Sequence, residues 1–315
     1  MRRTRWVLVL VLVSVAGIRA QLPQPSIGRD LTWAFPVING AALTEEPGPR
    51  RVPGSAKTYT PAQIDDLTNP PDWFPDGHAP APAIIQKGHG AALACGSCHL
   101  MSGHGHPESA GVAGFTAEYL IRQMADFKSG ARKDSARMNA IAKEVSDEES
   151  RQAAEWMAAL RPTVWTNVIE ADTVPKTFVG QGRMRFVEPG DGKEPIGNRI
   201  VTVPQDQDRA RSRDPYSGFT AYVPVGAIAR GKALTETGGA GKAVACSTCH
   251  GDSLKGLGNV PGLAGLHPIS VGRQLYLFKD GRRNGVDAQL MKKTVAQLTD
   301  EDIVALAAYL GSLAP

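Results

Sequence analysis

The chain has 315 residues, 42% of them hydrophobic and 21% charged, with four cysteines and a formal net charge of +4 at pH 7. Four of its 35 basic residues, Arg2, Arg3, Arg5 and Arg19, fall in the first twenty positions, so the rest is near neutral and lacks the basic face that nucleic-acid binding needs. Residues 21–165 carry 13 basic and 16 acidic side chains and residues 166–315 carry 18 and 15, a polarity no larger than that of an ordinary solvated surface, though sufficient to orient a docking partner.

Residues 1–20 read as a secretory signal peptide: arginines precede an apolar run from Trp6 to Gly17, and Ala20 ends the segment before Gln21. The run is well short of the ~20 apolar residues that span a bilayer. No later stretch is apolar enough, so no membrane span is expected after signal removal, and the mature chain is expected to be exported. The extension, 21–80, holds 11 of the 23 prolines together with Trp33, Phe35, Trp73 and Phe74. It cannot be a helical domain. Thr60-Pro61 opens one short helix to about Leu67, ended by Pro70-Pro71, and the aromatics predict a strap lying on the unit that follows.

The first unit, 81–165, contains Cys95-Gly-Ser-Cys98-His99, and the last, 221–315, contains Cys246-Ser-Thr-Cys249-His250. Together they use every cysteine. In one helical turn, positions i, i+3 and i+4 share a face, so two thiols reach the vinyl edge of one porphyrin while the imidazole reaches its iron. The pattern therefore predicts two covalently bound haems c, with Cys95, Cys98, Cys246 and Cys249 attaching them and His99 and His250 as iron ligands. A dithiol redox pair and a zinc site built from two CxxC knuckles are the competing readings, but zinc knuckles usually lie close in sequence, whereas these are 151 positions apart. The segment between the units, 166–220, is irregular, with β-favouring pieces at Met184–Val187 and Ile200–Val203 able to form a hairpin; Arg209, Arg211 and Arg213 alternate with acids on a solvated face.

The offset of 151 also superimposes Gly111–Gly114 on Gly262–Gly265, Arg122-Gln123 on Arg273-Gln274, Phe127-Lys128 on Phe278-Lys279 and Gly130 on Gly281. Two residues are then inserted, and Ser146–Glu149 matches Thr299–Asp302. One structural unit is used twice. Each copy predicts a helix, about Ala117–Lys128 and Ile269–Lys279, stopped by Gly130 or Gly281, and a last helix opened by a capping box at Ser146/Glu149 or Thr299/Asp302. Ala153, Trp156, Met157 and Leu160 form the apolar stripe of one final helix, and Ile303, Leu306, Ala307, Leu310 and Leu313 that of the other.

Met138 and Met291 each stand eight residues ahead of their capping box, on a segment between two helices that can fold over the ring. Methionine is ordinarily core filler, but equivalence in both copies nominates the pair as sixth ligands; a thioether raises the reduction potential, as an electron carrier needs. Met101 is too near His99, Met124 superimposes on Leu275, and Met157 is core. His104 and His106 are expected to be solvated, His267 has no counterpart, and His78 and His89 precede the first motif. The Pro261 and Ala110 carbonyls, eleven residues past each histidine, are placed to accept its ring N–H. Arg122 and Arg273 are candidates for the haem propionates or, equally, solvated helix charges.

With these motifs in place, the chain resembles class I cytochromes c of the tandem di-haem, cytochrome c-four-like kind over residues 81–165 and 221–315. The resemblance rests on CxxCH, Gly-Leu-Ala-Gly, Arg273-Gln274, the Phe278–Arg282 run, Met291 and the Thr299–Leu313 helix, with the first copy's counterparts. It implies a mainly α fold with two haem domains in tandem, His/Met ligation and periplasmic electron transfer. The long extension and the long connection depart from it, putting in doubt direct pairing of one haem domain on the other. The expected partners are redox proteins, a dehydrogenase as donor and an oxidase or another cytochrome as acceptor. A di-haem peroxidase is the alternative, but its Phe-His-Asn stretch is missing, and a thiosulfate-oxidising di-haem enzyme would need a spare cysteine.

Overall fold

Hydroxyl caps, glycine stops and prolines set most helix boundaries. The computed structural model describes residues 30–40, 47–134 and 136–315, with Leu31–Pro315 as one compact unit. The expected signal peptide, residues 1–20, lies outside the described residues. Among the described residues, no helix is long and apolar enough to cross a membrane.

In the extension, Thr60 and Gln63 form a capping box on α1 (Pro61–Ile64). The helix ends before Leu67 because Asp65 N–H closes on the Pro61 carbonyl and the Leu67 carbonyl is taken by Ala94 N–H, at 3.1 Å. Next come α2 (Ala83–Gln86), the CxxCH turn α3 (Gly96–His99), α4 (Ala117–Ser129), α5 (Met138–Glu144) and α6 (Asp147–Ala159). Thr116 caps α4 and Gly130 ends it at φ +81°, a left-handed conformation that costs glycine nothing. Ser146 and Glu149 satisfy each other's orphan N–H groups at the start of α6.

The connection is built from β1 (Thr166–Glu170), β2 (Thr173–Pro175), β3 (Thr177–Val179), β4 (Arg185–Val187), β5 (Lys193–Pro195), β6 (Val201–Pro204), α7 (Gln207–Arg211) and β7 (Phe219–Val223). Both β-favouring pieces are strands, but they do not pair with each other. β4 runs antiparallel to β3, with Phe186 opposite Phe178, and β6 runs antiparallel to β7. β7 also takes β1 as a parallel partner on its other edge, giving the order β1-β7-β6. Burial explains the choice: Phe219, Ala221 and Val223 alternate into the core, so β7 is the central strand.

The second copy comprises α8 (Ala227–Gly241), α9 (Ser247–His250), α10 (Pro268–Lys279), α11 (Ala288–Val295) and α12 (Asp300–Ser312). Helices α9 to α12 repeat the order of α3 to α6. Ile303, Leu306, Ala307 and Leu310 of α12 are buried, and α8 crosses that helix at Gly231, where a Cβ would stand 2.0 Å from the Ala305 carbonyl oxygen. The first copy has only the single-turn α2 at the corresponding place.

The extension does not lie on the first copy alone. Trp33 packs edge-on against Tyr276 of α10 at 6.1 Å, and Arg273 Nε donates to the Ala34 carbonyl at 2.7 Å. Trp73 and Phe74 instead meet the connection, Trp73 through an Nε1–H to Ser212 O bond of 2.7 Å and Phe74 through the Tyr216 ring at 4.8 Å.

Candidate functional site

The two motifs close the same turn. His99 N–H donates to Cys95 O and His250 N–H to Cys246 O, both at 3.0 Å, which brings each imidazole beside its pair of thiols. His99 Nδ1 is 2.8 Å from the Ala110 carbonyl and His250 Nδ1 is 2.7 Å from the Pro261 carbonyl. A carbonyl can only accept, so Nδ1 carries the proton and Nε2 is the nitrogen presented for coordination. Burial holds both rings below the ordinary histidine pKa, although each carbonyl opposes the effect.

The thiols do not have the character of a redox pair. Burial pushes Cys95 up to about 12 and Cys246 up to about 11, whereas a reactive dithiol needs a depressed pKa. Nor do the two CxxC pairs meet as zinc knuckles: among the described residues, no three His, Cys, Asp or Glu side chains converge as a metal-holding group. All four cysteines are free to form thioethers.

Met138 is the first residue of α5 and Met291 lies inside α11, so the segments expected merely to connect helices are helical themselves. Met138 packs with Cys95 on the cluster of Ile84, Ala92, Ile141 and Val145; Met291 and Cys246 share the large cluster of the second copy. Met124 of α4 packs against the same cluster as Met138, while the other competing side chains are engaged elsewhere. Met101 and Met157 are core, packed with Ile85 and Trp156. His89 bonds Glu149 at 2.7 Å and His78 bonds Asp72 at 3.3 Å. His104 is buried rather than solvated, stacked on Trp165 at 5.0 Å, and His106 is half-buried with Nε2 3.1 Å from Ser109 Oγ. His267, also buried, links Thr166 Oγ1 to the His104 carbonyl. His104 and His267 are buried, and His106 half-buried, because the loop after the first motif is covered by the connection and the second copy, which local sequence does not reveal.

Arg122 and Arg273 both reach across to the other copy, and of the two only Arg273 departs from a solvated helix charge by being buried. Arg122 donates to Asn259 O and pairs with Asp287, while Arg273 is buried and pairs with Glu108. Each joins its own copy to the other, so the copies do meet directly. Sequence reasoning overlooked Arg132 and Arg283, which face each other at the centre of this junction as an antiparallel bridge. Their separation of 151 is the signal that could have found them.

The motifs differ in exposure. Ala94 and Ser97 are 1% and 0% exposed, whereas Val244 is 54% exposed and Thr248 and Cys249 are open to solvent. Arg213 covers the first motif by donating to the Ser97 and Ile64 carbonyls, so it is not on a solvated face. Leu100 packs beneath the connection with Trp165, Ala210 and Phe219.

Paired thiols, a histidine with its coordinating nitrogen set by a carbonyl, and an apolar cluster bearing a methionine make a donor set that fits haem c in both copies. A family model described as cytochrome c matches residues 228–314. The chain is 27% identical over 251 residues to cytochrome c4 of Azotobacter vinelandii, covering 75% of this chain and 92% of that protein. It is 27% identical over 238 residues to the thiosulfate dehydrogenase electron acceptor of Thiomonas intermedia (strain K12), covering 74% and 84%. Over 68 residues it is 37% identical to cytochrome c-554(548) of Halomonas halodenitrificans, covering 21% of this chain and 82% of that one.

Proposed function

The chain belongs to the cytochrome c family, and on that premise we propose that it is an exported di-haem electron carrier that takes electrons from a periplasmic dehydrogenase and delivers them towards an oxidase or another cytochrome. Bound haem supplies the one-electron ferric/ferrous couple. The residues supply its attachment and poise. Cys95 and Cys98, and Cys246 and Cys249, would hold the two haems, His99 and His250 would coordinate iron through Nε2, and Met138 and Met291 would supply the second protein ligand of each. Two closed irons suit outer-sphere transfer and leave no position for a substrate, so the carrier role is favoured over peroxidase chemistry.

The observation that carries the reading is the duplication of the whole donor set, down to the Nδ1–H to carbonyl bond eleven residues past each histidine. A relative named as an electron acceptor of thiosulfate dehydrogenase supports a dehydrogenase as the donor class. A pyridine haemochrome assay on the mature protein should return two haems per chain. One or none would overturn the assignment of the motifs.

A further inference from the structure

Arg213 belongs to the connection, yet its half-buried side chain reaches into the first CxxCH turn. Nη1 donates to the Ser97 carbonyl, between the two cysteines, and Nε donates to the Ile64 carbonyl of the extension at 2.7 Å. The peptide unit that accepts from Arg213 continues into Cys98, whose N–H donates to Cys95 O at 3.3 Å. One guanidinium therefore grips the peptide that links both thiol-bearing residues.

The turn that delivers this side chain is pinned from several directions. Arg213 has φ +57°, a left-handed conformation that is unfavourable for a residue with a Cβ, so its surroundings must impose it. Its N–H closes on Ala210 O at 3.0 Å, and the buried Asp214 that follows pairs with Arg209 at 2.6 Å and accepts from the Tyr216 N–H at 2.9 Å. Trp73 Nε1 donates to the Ser212 carbonyl at 2.7 Å, which ties the turn to the extension.

The charge it delivers stays unneutralised. Arg209 and Arg211 pair with Asp214 and Asp208, whereas among the described residues Arg213 forms no ion pair, and the acceptors of its Nε and Nη1 are neutral carbonyls. Asp65, next to Ile64, is near enough for Arg213 to feel its charge, but it is exposed and accepts from Gln181 Nε2 at 2.6 Å. The second copy has no equivalent cation. Thr248 stands in the place of Ser97 but is exposed, and Lys242 and Lys255, the cations nearest it in sequence, are engaged by Asp302 and the Pro315 carbonyl.

We propose that Arg213 raises the reduction potential of the first haem alone, as a cation that the connection inserts at the first attachment turn and that the second copy lacks. The inference rests on the di-haem reading. A fixed positive charge at the attachment turn favours the ferrous state, which carries one positive charge fewer, and the burial of Ser97 limits screening by water. Two repeats of one structural unit are thus made electrochemically unequal by a segment that belongs to neither.

The test is spectroelectrochemical titration of the wild-type holoprotein and its R213Q and R213K variants, with M138A and M291A marking which midpoint belongs to which copy and haem content checked throughout. R213Q keeps a donor for the Ser97 carbonyl but removes the charge. It should retain two haems and lower one midpoint only, the one that M138A lowers, and R213K should restore most of the shift. A fall in both midpoints, in neither, or in the one that M291A lowers would overturn the proposal. So would an R213K midpoint as low as that of R213Q, which would make Arg213 a strap rather than a charge. Should R213Q not retain both haems, D65N at low ionic strength decides, because removing that exposed anion leaves the cation less offset. The first haem's midpoint should then rise with the second unchanged, and no rise would overturn the proposal. Fewer than two haems in the wild type would instead remove the di-haem reading itself.

Discussion

Glu108, in the loop that follows the first CxxCH, is ion-paired at 2.5 Å with Arg273 of α10 in the second copy, and both side chains are 8% exposed. The equivalent contact runs the other way: Arg122, the counterpart of Arg273, donates at 3.1 Å to the carbonyl of Asn259, the counterpart of Glu108. The junction thus obeys the internal repeat, but Arg273 pairs with the carboxylate of Glu108 itself, whereas Arg122 finds its carboxylate on Asp287. Truncating Glu108 leaves a buried guanidinium uncompensated, which costs on the order of 3–5 kcal/mol. Glu108→Ala should lower the urea midpoint accordingly, and Glu108→Gln, which keeps an acceptor, should lose less. Equal stability of all three proteins would show that the pair contributes nothing.

Gly231 permits the α8/α12 crossing. A methyl group there would collide with the Ala305 carbonyl and stand 2.7 Å from Tyr309 Cβ. Gly231→Ala normally favours a helix interior, by about 1 kcal/mol. Here the overlap should reverse the sign and destabilise the second copy by roughly 2 kcal/mol or more. Thermal unfolding of the holoprotein reads the sign directly.

Asp302 gives the second copy an acid-sensitive joint. Burial opposes its charge, but Lys242 Nζ at 2.8 Å, the Thr299 N–H at 3.0 Å and Arg230 Nη2 at 2.8 Å hold the carboxyl far below the usual range. Because the folded pKa is depressed, its stabilisation is complete above the unfolded value of about 3.9 and fades as pH falls through and below it. Asp302→Asn should be less stable than wild type at pH 7, and the gap should close on acidification below about pH 4. A gap that stays constant down to pH 2 would remove the carboxylate from the explanation.

The covering of the first motif makes a kinetic prediction. Hydrogen exchange across residues 94–99 should be slower than across 245–250, because Arg213, Leu67 and the Leu100 cluster lie over one turn and solvent over the other. Arg213→Ala should narrow the difference.

The parts of this fold written in local sequence were legible there. The capping boxes at Ser146 and Thr299, the stops at Gly130 and Gly281, and the carbonyls at Ala110 and Pro261 all follow from short-range geometry that repeats at a fixed offset. Helix α8 was not legible, because its Gly231 and its left-handed Gly238 and Gly239 read as breakers until α12 is packed against it. The parallel pairing of Thr166 with Phe219 joins residues some fifty positions apart, and no periodicity announces such a partner. Burial of His104, His267 and Arg273 likewise depends on which surface arrives to cover them. Charge and hydrogen-bonding capacity are local properties; their desolvation is not.

Met138 and Met291 carry the central claim, that both irons are closed by sulfur and poised for electron transfer. Spectroelectrochemical titration of Met138→Ala and Met291→Ala holoproteins should show two haems in each, with a single and different midpoint lowered in each variant. Wild-type midpoints in both variants would contradict it.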